Sequence, residues 1–422
     1  MKILVIGGGG REHALSLAIS QSPLCSDLHM APGNPGMAPL GTCHKANIED
    51  TDALFSLATT LAPDLVVIGP EAPLVAGLAD RLAEAEIPAF GPSAAAAMLE
   101  GSKDFARQIC ASKNVPQPHF QAFTNAEDAL AHAKDLDGYC VIKADGLAAG
   151  KGVVVCDDMD EAGPAIIKML GGQFGSASAS ILIEERIEGP EISAFALIDG
   201  TNAIWLASAQ DHKRAYDDDK GPNTGGMGAV SPSPLMTEAL RSQIMDEVIT
   251  PVAEAMAEAG TPYHGVLYAG LMLTKEGPKV IEFNCRFGDP EAEVILPRME
   301  TDLLAMICDL KEGKLQRASL CEDAAVTVIM ASNGYPGAYE KGSVIAGLDE
   351  AASPQNVTIY HAGTAHDAGG RLVASGGRVL AVTALGADIA QARSAAYEAV
   401  AQVKWDDGFY RRDIAKSAAE SL

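Results

Sequence analysis

Glu282-Phe283-Asn284-Cys285-Arg286-Phe287-Gly288-Asp289-Pro290-Glu291 closes a β-rich stretch of the chain. Upstream, an apolar run at 267–273 leads into Thr274-Lys275-Glu276-Gly277-Pro278, and Lys279-Val280-Ile281 follows. The pattern predicts a hairpin whose second strand ends in the decapeptide. Side chains alternate faces along a strand, so Glu282 and Asn284 point one way and Phe283 the other. A carboxylate and an amide oxygen side by side are hard donors, suited to Mg²⁺ when phosphates complete its shell. Arg286 continues that face if the strand persists, and its guanidinium can clamp a carboxylate or phosphate.

The rest of the composition narrows what such a site can serve. A chain of 422 residues, 48% hydrophobic and 21% charged, is expected to build two to four domains with sizeable cores. A net charge of −25 argues against a nucleic-acid or anionic-membrane surface, so an anionic substrate must be met by local cations. Eight cysteines without metal-ligand spacing or a Cys-x-x-Cys pair point to a reduced, cytoplasmic protein. No stretch reaches about 18 apolar residues, and the N-terminus shows no cleavage-like site, so the chain reads as soluble and unprocessed.

From the N-terminus, residues 2–6 read as a buried parallel strand, and Gly7 to Gly10 turn it into a helix over 11–21. A glycine loop at a helix start offers free amides to an anion. It is not a dinucleotide fingerprint: Glu12 or His13 falls where the third glycine belongs, and the next strand, at 28–30, ends without a ribose-binding acid. A phosphate site without a dinucleotide is the expectation, formed by Gly8, Gly9, Gly10, Arg11 and Glu12. The strand at 65–68 ends in Gly69-Pro70-Glu71, which puts Glu71 on the same carboxyl edge. Lys103 falls in, or at a break of, a linking helix that begins near 93.

Lys143 sits inside an apolar strand at 140–143, where a buried ammonium needs an anion partner. The loop from Gly146 to Gly152, carrying Gly150 and Lys151, returns into a second strand at 153–155. Strand–loop–strand is not a P-loop, but it suits a hairpin flap that covers phosphates with its amides. A strand at 181–187 runs toward Glu191, and 192–197 pairs with 203–207. The stretch 211–228 is polar, glycine-rich and without an expected element, a length that signals function, with Asp211, Lys213 and Arg214 at its start. A helix is expected over 237–259, and a small α+β unit from about 324, where 361–364 borders the ligand.

These strings resemble the ATP-grasp ligases and, among them, the phosphoribosylamine–glycine ligase family. The resemblance rests on Gly-Arg-Glu-His at 10–13, Gly-Pro-Glu-Ala-Pro-Leu at 69–74 and Lys-Ala-Asp-Gly-Leu-Ala-Ala-Gly-Lys-Gly at 143–152, together with Gly-Pro-Asn-Thr-Gly-Gly-Met-Gly at 221–228 and the opening decapeptide. It covers nearly the whole chain. It implies an ATP-grasp fold of α/β and α+β units: a Rossmann-like N-terminal domain at 1–102, an ATP-grasp domain at 103–323 with a flap at about 122–190, and a small α+β domain at 324–422.

By the same resemblance, Lys103, Lys143 and the flap residues Gly150, Lys151 and Gly152 contact the phosphates of ATP. Glu184, Glu185 and Ile187 lie at the adenine, Glu191 at the ribose and Leu271 beneath the ring. Glu282 and Asn284 hold Mg²⁺ or Mn²⁺. Many of the wider superfamily carry a further metal carboxylate about where Ala269 stands here, which leaves a second ion without that ligand. The glycine loop and Glu71 hold phosphoribosylamine. Asp211, Lys213 and Arg286 serve glycine and its acyl phosphate. The resemblance further implies a monofunctional enzyme of bacterial type, a monomer or weak homodimer acting on small molecules alone. Two other classes compete on the residues: a nicotinamide-dependent oxidoreductase, disfavoured by the broken glycine pattern, and a nucleotide-binding regulator, disfavoured by the complete set of lysines and metal donors.

Overall fold

The computed structural model describes residues 1–148 and 152–420. The first unit is a five-stranded parallel sheet in the order Thr42–Cys43, Asp27–Pro32, Lys2–Gly7, Leu65–Ile68, Ala89–Phe90. Leu4 and Ile6 enter one core while Ile3 and Val5 enter another, so the central strand is covered on both faces. That double burial is why it reads as a continuous apolar run. The helix after the glycine loop spans Gly10–Ser20.

Two helices, Ala94–Gly101 and Lys103–Ser112, carry the chain onward. Their break falls at Ser102, whose hydroxyl caps the second helix through the amide of Phe105. Lys103 is therefore the first residue of a helix. A four-stranded antiparallel sheet follows, ordered Phe120–Phe123, Ile181–Glu185, Cys140–Ala144, Val153–Cys156. Helices Ala126–Asp135 and Met159–Leu170 back it and give it its own small core. The hairpin expected around residue 148 is present, with its two strands paired in register.

The largest sheet runs antiparallel through Gly277–Asn284, Tyr263–Thr274, Glu191–Gly200, Asn202–Asp211, Gly228–Ser231, Ala324–Ser332, Arg378–Gly386 and Val357–His361. The strand Gly228–Ser231 joins the first four strands to those of the C-terminal part. One continuous sheet thus carries the decapeptide at one edge and the C-terminal strands at the other.

Two expectations are corrected here. The stretch 211–228 is not without structure: Arg214–Tyr216 pairs with Lys220–Asn223, and Gly228–Ser231 enters the main sheet. The small hairpin turns through Asp218 and Asp219, both left-handed with φ of 59° and 50°. Aspartate tolerates that region, but a run of acids does not announce a turn as Asn-Gly does. The helix over 237–259 is three pieces, Glu238–Ile244, a π segment Met245–Ile249 and Thr250–Glu258. Pro251 supplies no backbone N–H, and the ladder widens just ahead of it. Among the described residues no helix is long and apolar enough to cross a membrane.

Candidate active site

The three sheets enclose a cleft of about 1100 Å³. That exceeds the roughly 300–1,000 Å³ of a pocket for one drug-sized molecule, so there is room for more than one ligand. Glu282, Phe283 and Asn284 all border it, and the nearly fully buried Phe283 also packs into the core. Opposite Glu282 on the neighbouring strand stands Gly270, and Ala269 faces Phe283 instead. The position across from Glu282 therefore offers no second carboxylate. Among the described residues no group of three or more His, Cys, Asp or Glu is arranged to hold a metal. Glu282 and Asn284 fit a hard divalent ion only as part of a shell that phosphate oxygens complete.

Cations surround Glu282. The ammonium of Lys213 is 3.1 Å from its carboxylate and 3.4 Å from that of Glu191. Lys213 holds the Glu282 carboxyl down at about 2, against the effect of burial. Lys143 is buried, and the anion partner that its position demands is protein-borne: Glu184 at 2.8 Å, with the Ile281 carbonyl accepting at 3.0 Å. Arg107 grips the same carboxylate through two nitrogens, at 2.8 and 2.9 Å, and donates to the carbonyls of Val280 and Ile281. Glu184 thus ties the flap sheet, the linking helix and the strand Gly277–Asn284 together. Lys103 lines the cleft and donates to the Gly146 carbonyl at 3.2 Å. Burial lowers its pKa.

Gly152, Glu185, Ile187 and Glu191 line the cleft near the flap. Gly150 and Lys151 lie outside the described residues. Leu271 is misplaced by the sequence reading: it is fully buried in the core and does not reach the cleft, where Met272 stands instead. Alternation along Tyr263–Thr274 is unbroken against Glu191–Gly200 and turns Leu271, like Ala269, to the core, with Tyr268 and Met272 on the cleft side. The resemblance, not this count, had put Leu271 at the nucleotide.

On the opposite wall Glu71, Arg286 and Arg11 meet. Arg286 approaches Glu71 at 3.3 Å and Glu100 at 2.8 Å. Burial works to raise the Glu71 carboxyl, but Arg286 and Arg11 outweigh it and hold it at about 2. Burial dominates at Glu100 and pushes it up to about 7. Of the glycine loop, Arg11 reaches the cleft, but Glu12 does not. The Glu12 carboxylate turns inward, accepting from the Gly9 amide at 2.7 Å and from Arg11 at 2.5 Å. A Cβ on Gly7 or Gly69 would meet it at 2.3 Å. Glu12 thus accepts from the backbone amide at the helix N-cap, Gly9, and does not line the cleft. Gly8, Gly9 and Gly10 sit beside it, behind the cleft wall.

Asp211 lines the far end, with Oδ1 buried and unpartnered. Burial and the nearby Glu291 push its carboxyl well above the usual range. Glu291 accepts from the Ser193 hydroxyl at 2.9 Å. Arg378, from the C-terminal part, crosses to Asp289 at 3.0 Å and also donates to the Gly225 carbonyl. The residues at 361–364 form a seam with the first unit instead: the His361 amide donates to His13 at 2.8 Å.

Sequence reasoning missed Glu100, Arg107, Met272 and Arg378. Arg107 had a signal, being one helical turn from Lys103 on the same face. Glu100 precedes a helix break, a place that invites scrutiny. Arg378 had none beyond a charge at the head of an apolar strand.

A hairpin flap on its own small sheet, facing a larger antiparallel sheet that presents paired oxygen donors and lysines, defines an ATP-grasp enzyme. Profiles described as phosphoribosylglycinamide synthetase N domain, ATP-grasp (A) domain and C domain match residues 1–100, 101–292 and 325–417. The chain belongs to the phosphoribosylglycinamide synthetase family. It is 51% identical over 416 residues to a phosphoribosylamine–glycine ligase of Rhizobium meliloti (strain 1021), covering 98% of each chain. A crystal structure of the Thermotoga maritima phosphoribosylamine–glycine ligase superposes with a TM-score of 0.84 at 32% identity, covering 98% of this chain and 100% of that one. A biotin carboxylase from Campylobacter jejuni, 15% identical with a TM-score of 0.75 and coverage of 99% and 95%, shares the fold.

Proposed function

We propose that this enzyme joins glycine to 5-phosphoribosylamine at the expense of ATP, giving glycinamide ribonucleotide, ADP and phosphate in purine biosynthesis. The observation that carries the reading is the face shared by Glu282 and Asn284 in a cleft with Lys103, Lys143 and Lys213, within a chain half identical to ligases of that name. A glycine carboxylate is a poor electrophile because its leaving oxygen is strongly basic. Transfer of the γ-phosphoryl group makes glycyl phosphate, with a good leaving group. The amine then attacks the acyl carbon, the C–O bond to phosphate breaks, and the amine proton leaves with the phosphate or solvent.

In this reading Lys103 and Lys143 face the phosphates, Lys143 exchanging Glu184 for an incoming oxygen. Gly150, Lys151 and Gly152 would belong to the cover over them. The adenine and ribose lie along Glu185, Ile187 and Glu191, with Met272 taking the place assigned to Leu271. Glu282 and Asn284 would hold Mg²⁺ or Mn²⁺, which when bound neutralises phosphate charge. Phosphoryl transfer asks the protein chiefly for positioning and charge neutralisation, which the lysines and Arg286 supply. Holding amine and acyl group together contributes roughly 7–11 kcal/mol. Lys213 and Arg286 serve the acyl phosphate. The free Asp211 oxygen suits the glycine ammonium. Arg11 and Glu71, with Gly8, Gly9 and Gly10 behind them, serve phosphoribosylamine.

All eight cysteines are free, in keeping with a reducing cytoplasm. We read the enzyme as a monomer or weak homodimer acting on small molecules. Glycine and phosphoribosylamine together should release one ADP per amide formed. Equal ADP release with bicarbonate or D-alanine would move the enzyme elsewhere among ATP-grasp ligases.

A further inference from the structure

Arg286 stands between Glu71 and Glu100, yet it hangs from an irregular segment after the strand Gly277–Asn284 has ended. Something other than the strand must fix it. The Glu100 carboxylate does so on two counts. One oxygen accepts from the Cys285 amide at 2.8 Å, and the other meets the Arg286 guanidinium at 2.8 Å. A single side chain thus sets both the backbone entering residue 286 and the direction of its guanidinium. The third constraint, the Arg286 bond to the Phe287 carbonyl, lies within the same segment.

Glu100 comes from the end of the helix Ala94–Gly101, with the break at Ser102 directly after it. Beyond that break, Lys103 and Ser102 grip Asp145 and Gly146 at the root of the flap. Glu100 therefore stands between the two halves of the cleft but touches only one. Its side chain is almost wholly buried, so neither solvent nor a free lysine can replace it.

We propose that Glu100 is a positioning residue for Arg286, acting on the acyl and amine half of the reaction and not on nucleotide binding. This rests on the ligase reading above. A carboxylate that holds a guanidinium directly and also holds the backbone amide beside it fixes Arg286 in one orientation, with its Nε toward Glu71.

The test is steady-state ADP release by Glu100→Gln and Glu100→Asp with glycine and phosphoribosylamine. The glutamine variant should lose roughly 10- to 100-fold in kcat/KM for glycine and the amine, the cost of a misplaced clamp, with KM for ATP within about twofold of wild type. Glu100→Asp, with the charge retained on a shorter stem, should recover most of that loss with the same split. If the glutamine variant does not fold, the split in the aspartate variant decides. Combining Glu100→Gln with Arg286→Lys should add little to Arg286→Lys alone, because one acts through the other. Turnover within threefold of wild type, an equal rise in the KM for ATP, or additive losses would overturn the positioning role. A wild-type enzyme that releases no ADP with these substrates overturns the ligase reading as well. An active wild type indifferent to Glu100 overturns only the inference.

Discussion

The ammonium of Lys213 lies 3.1 Å from the carboxylate of Glu282, on the strand face that also bears Asn284. A protein cation thus occupies the ground where a divalent ion and phosphates would gather. Glu282 is consequently ionised far below neutral pH.

Glu282→Ala should reduce metal-dependent ligation by roughly 10²–10³-fold, the scale of removing one preorganised electrostatic partner. Circular dichroism should be unchanged, because the side chain borders the cleft and not the core. Near-normal turnover in this variant would end the metal assignment.

Met272→Ala and Leu271→Ala should separate cleanly. Met272 lines the cleft, so its loss should raise the KM for ATP severalfold with little change in melting temperature. Leu271 is fully buried, so its loss should cost about 2–5 kcal/mol of stability by urea unfolding. The reverse pattern would restore Leu271 to the nucleotide.

Glu184→Ala should destabilise the fold by roughly 3–5 kcal/mol, since it leaves Arg107 and Lys143 as buried cations without their shared carboxylate. Chemical denaturation reads this directly. A loss below about 1 kcal/mol would mean that the two cations find other partners.

Three histidines should contribute acid sensitivity. Burial holds His13 near 3, with His361 adding to the shift, and holds His212 and His361 near 4. Their unfolded pKa is about 6.5, so between that value and 3–4 the unfolded chain binds more protons and stability is lost as the pH is lowered. Glu100, raised to about 7, works in the opposite sense between about 4.5 and 7. The comparison to make is therefore His13→Gln against wild type. Its melting temperature should gain on wild type as pH drops from 7 to 5, and a constant difference would refute the account.

The sequence spoke most clearly where a single period governed a segment. Glu282 and Asn284 fell on one face because the strand there is regular, and the strand Leu65–Ile68 was bounded to the residue by its apolar run. Leu271 was assigned by resemblance alone; simple alternation puts it on the core face with Ala269 and leaves Met272 to the cleft. Lys143 signalled a missing anion, but nothing local could say that Glu184 supplies it while also pairing with Arg107. Arg378 bonds Asp289 from 89 residues further along the chain. Partnerships of that kind are set by the tertiary path, and no window of sequence contains them.

The unbroken sheet has a corollary for truncation. Cutting the chain ahead of Ala324–Ser332 would strip the partner from Gly228–Ser231 and lay bare a row of backbone donors and acceptors. The excised half would expose a matching edge, and both would be prone to stick to copies of themselves. The C-terminal strands must therefore stay with the rest of the chain.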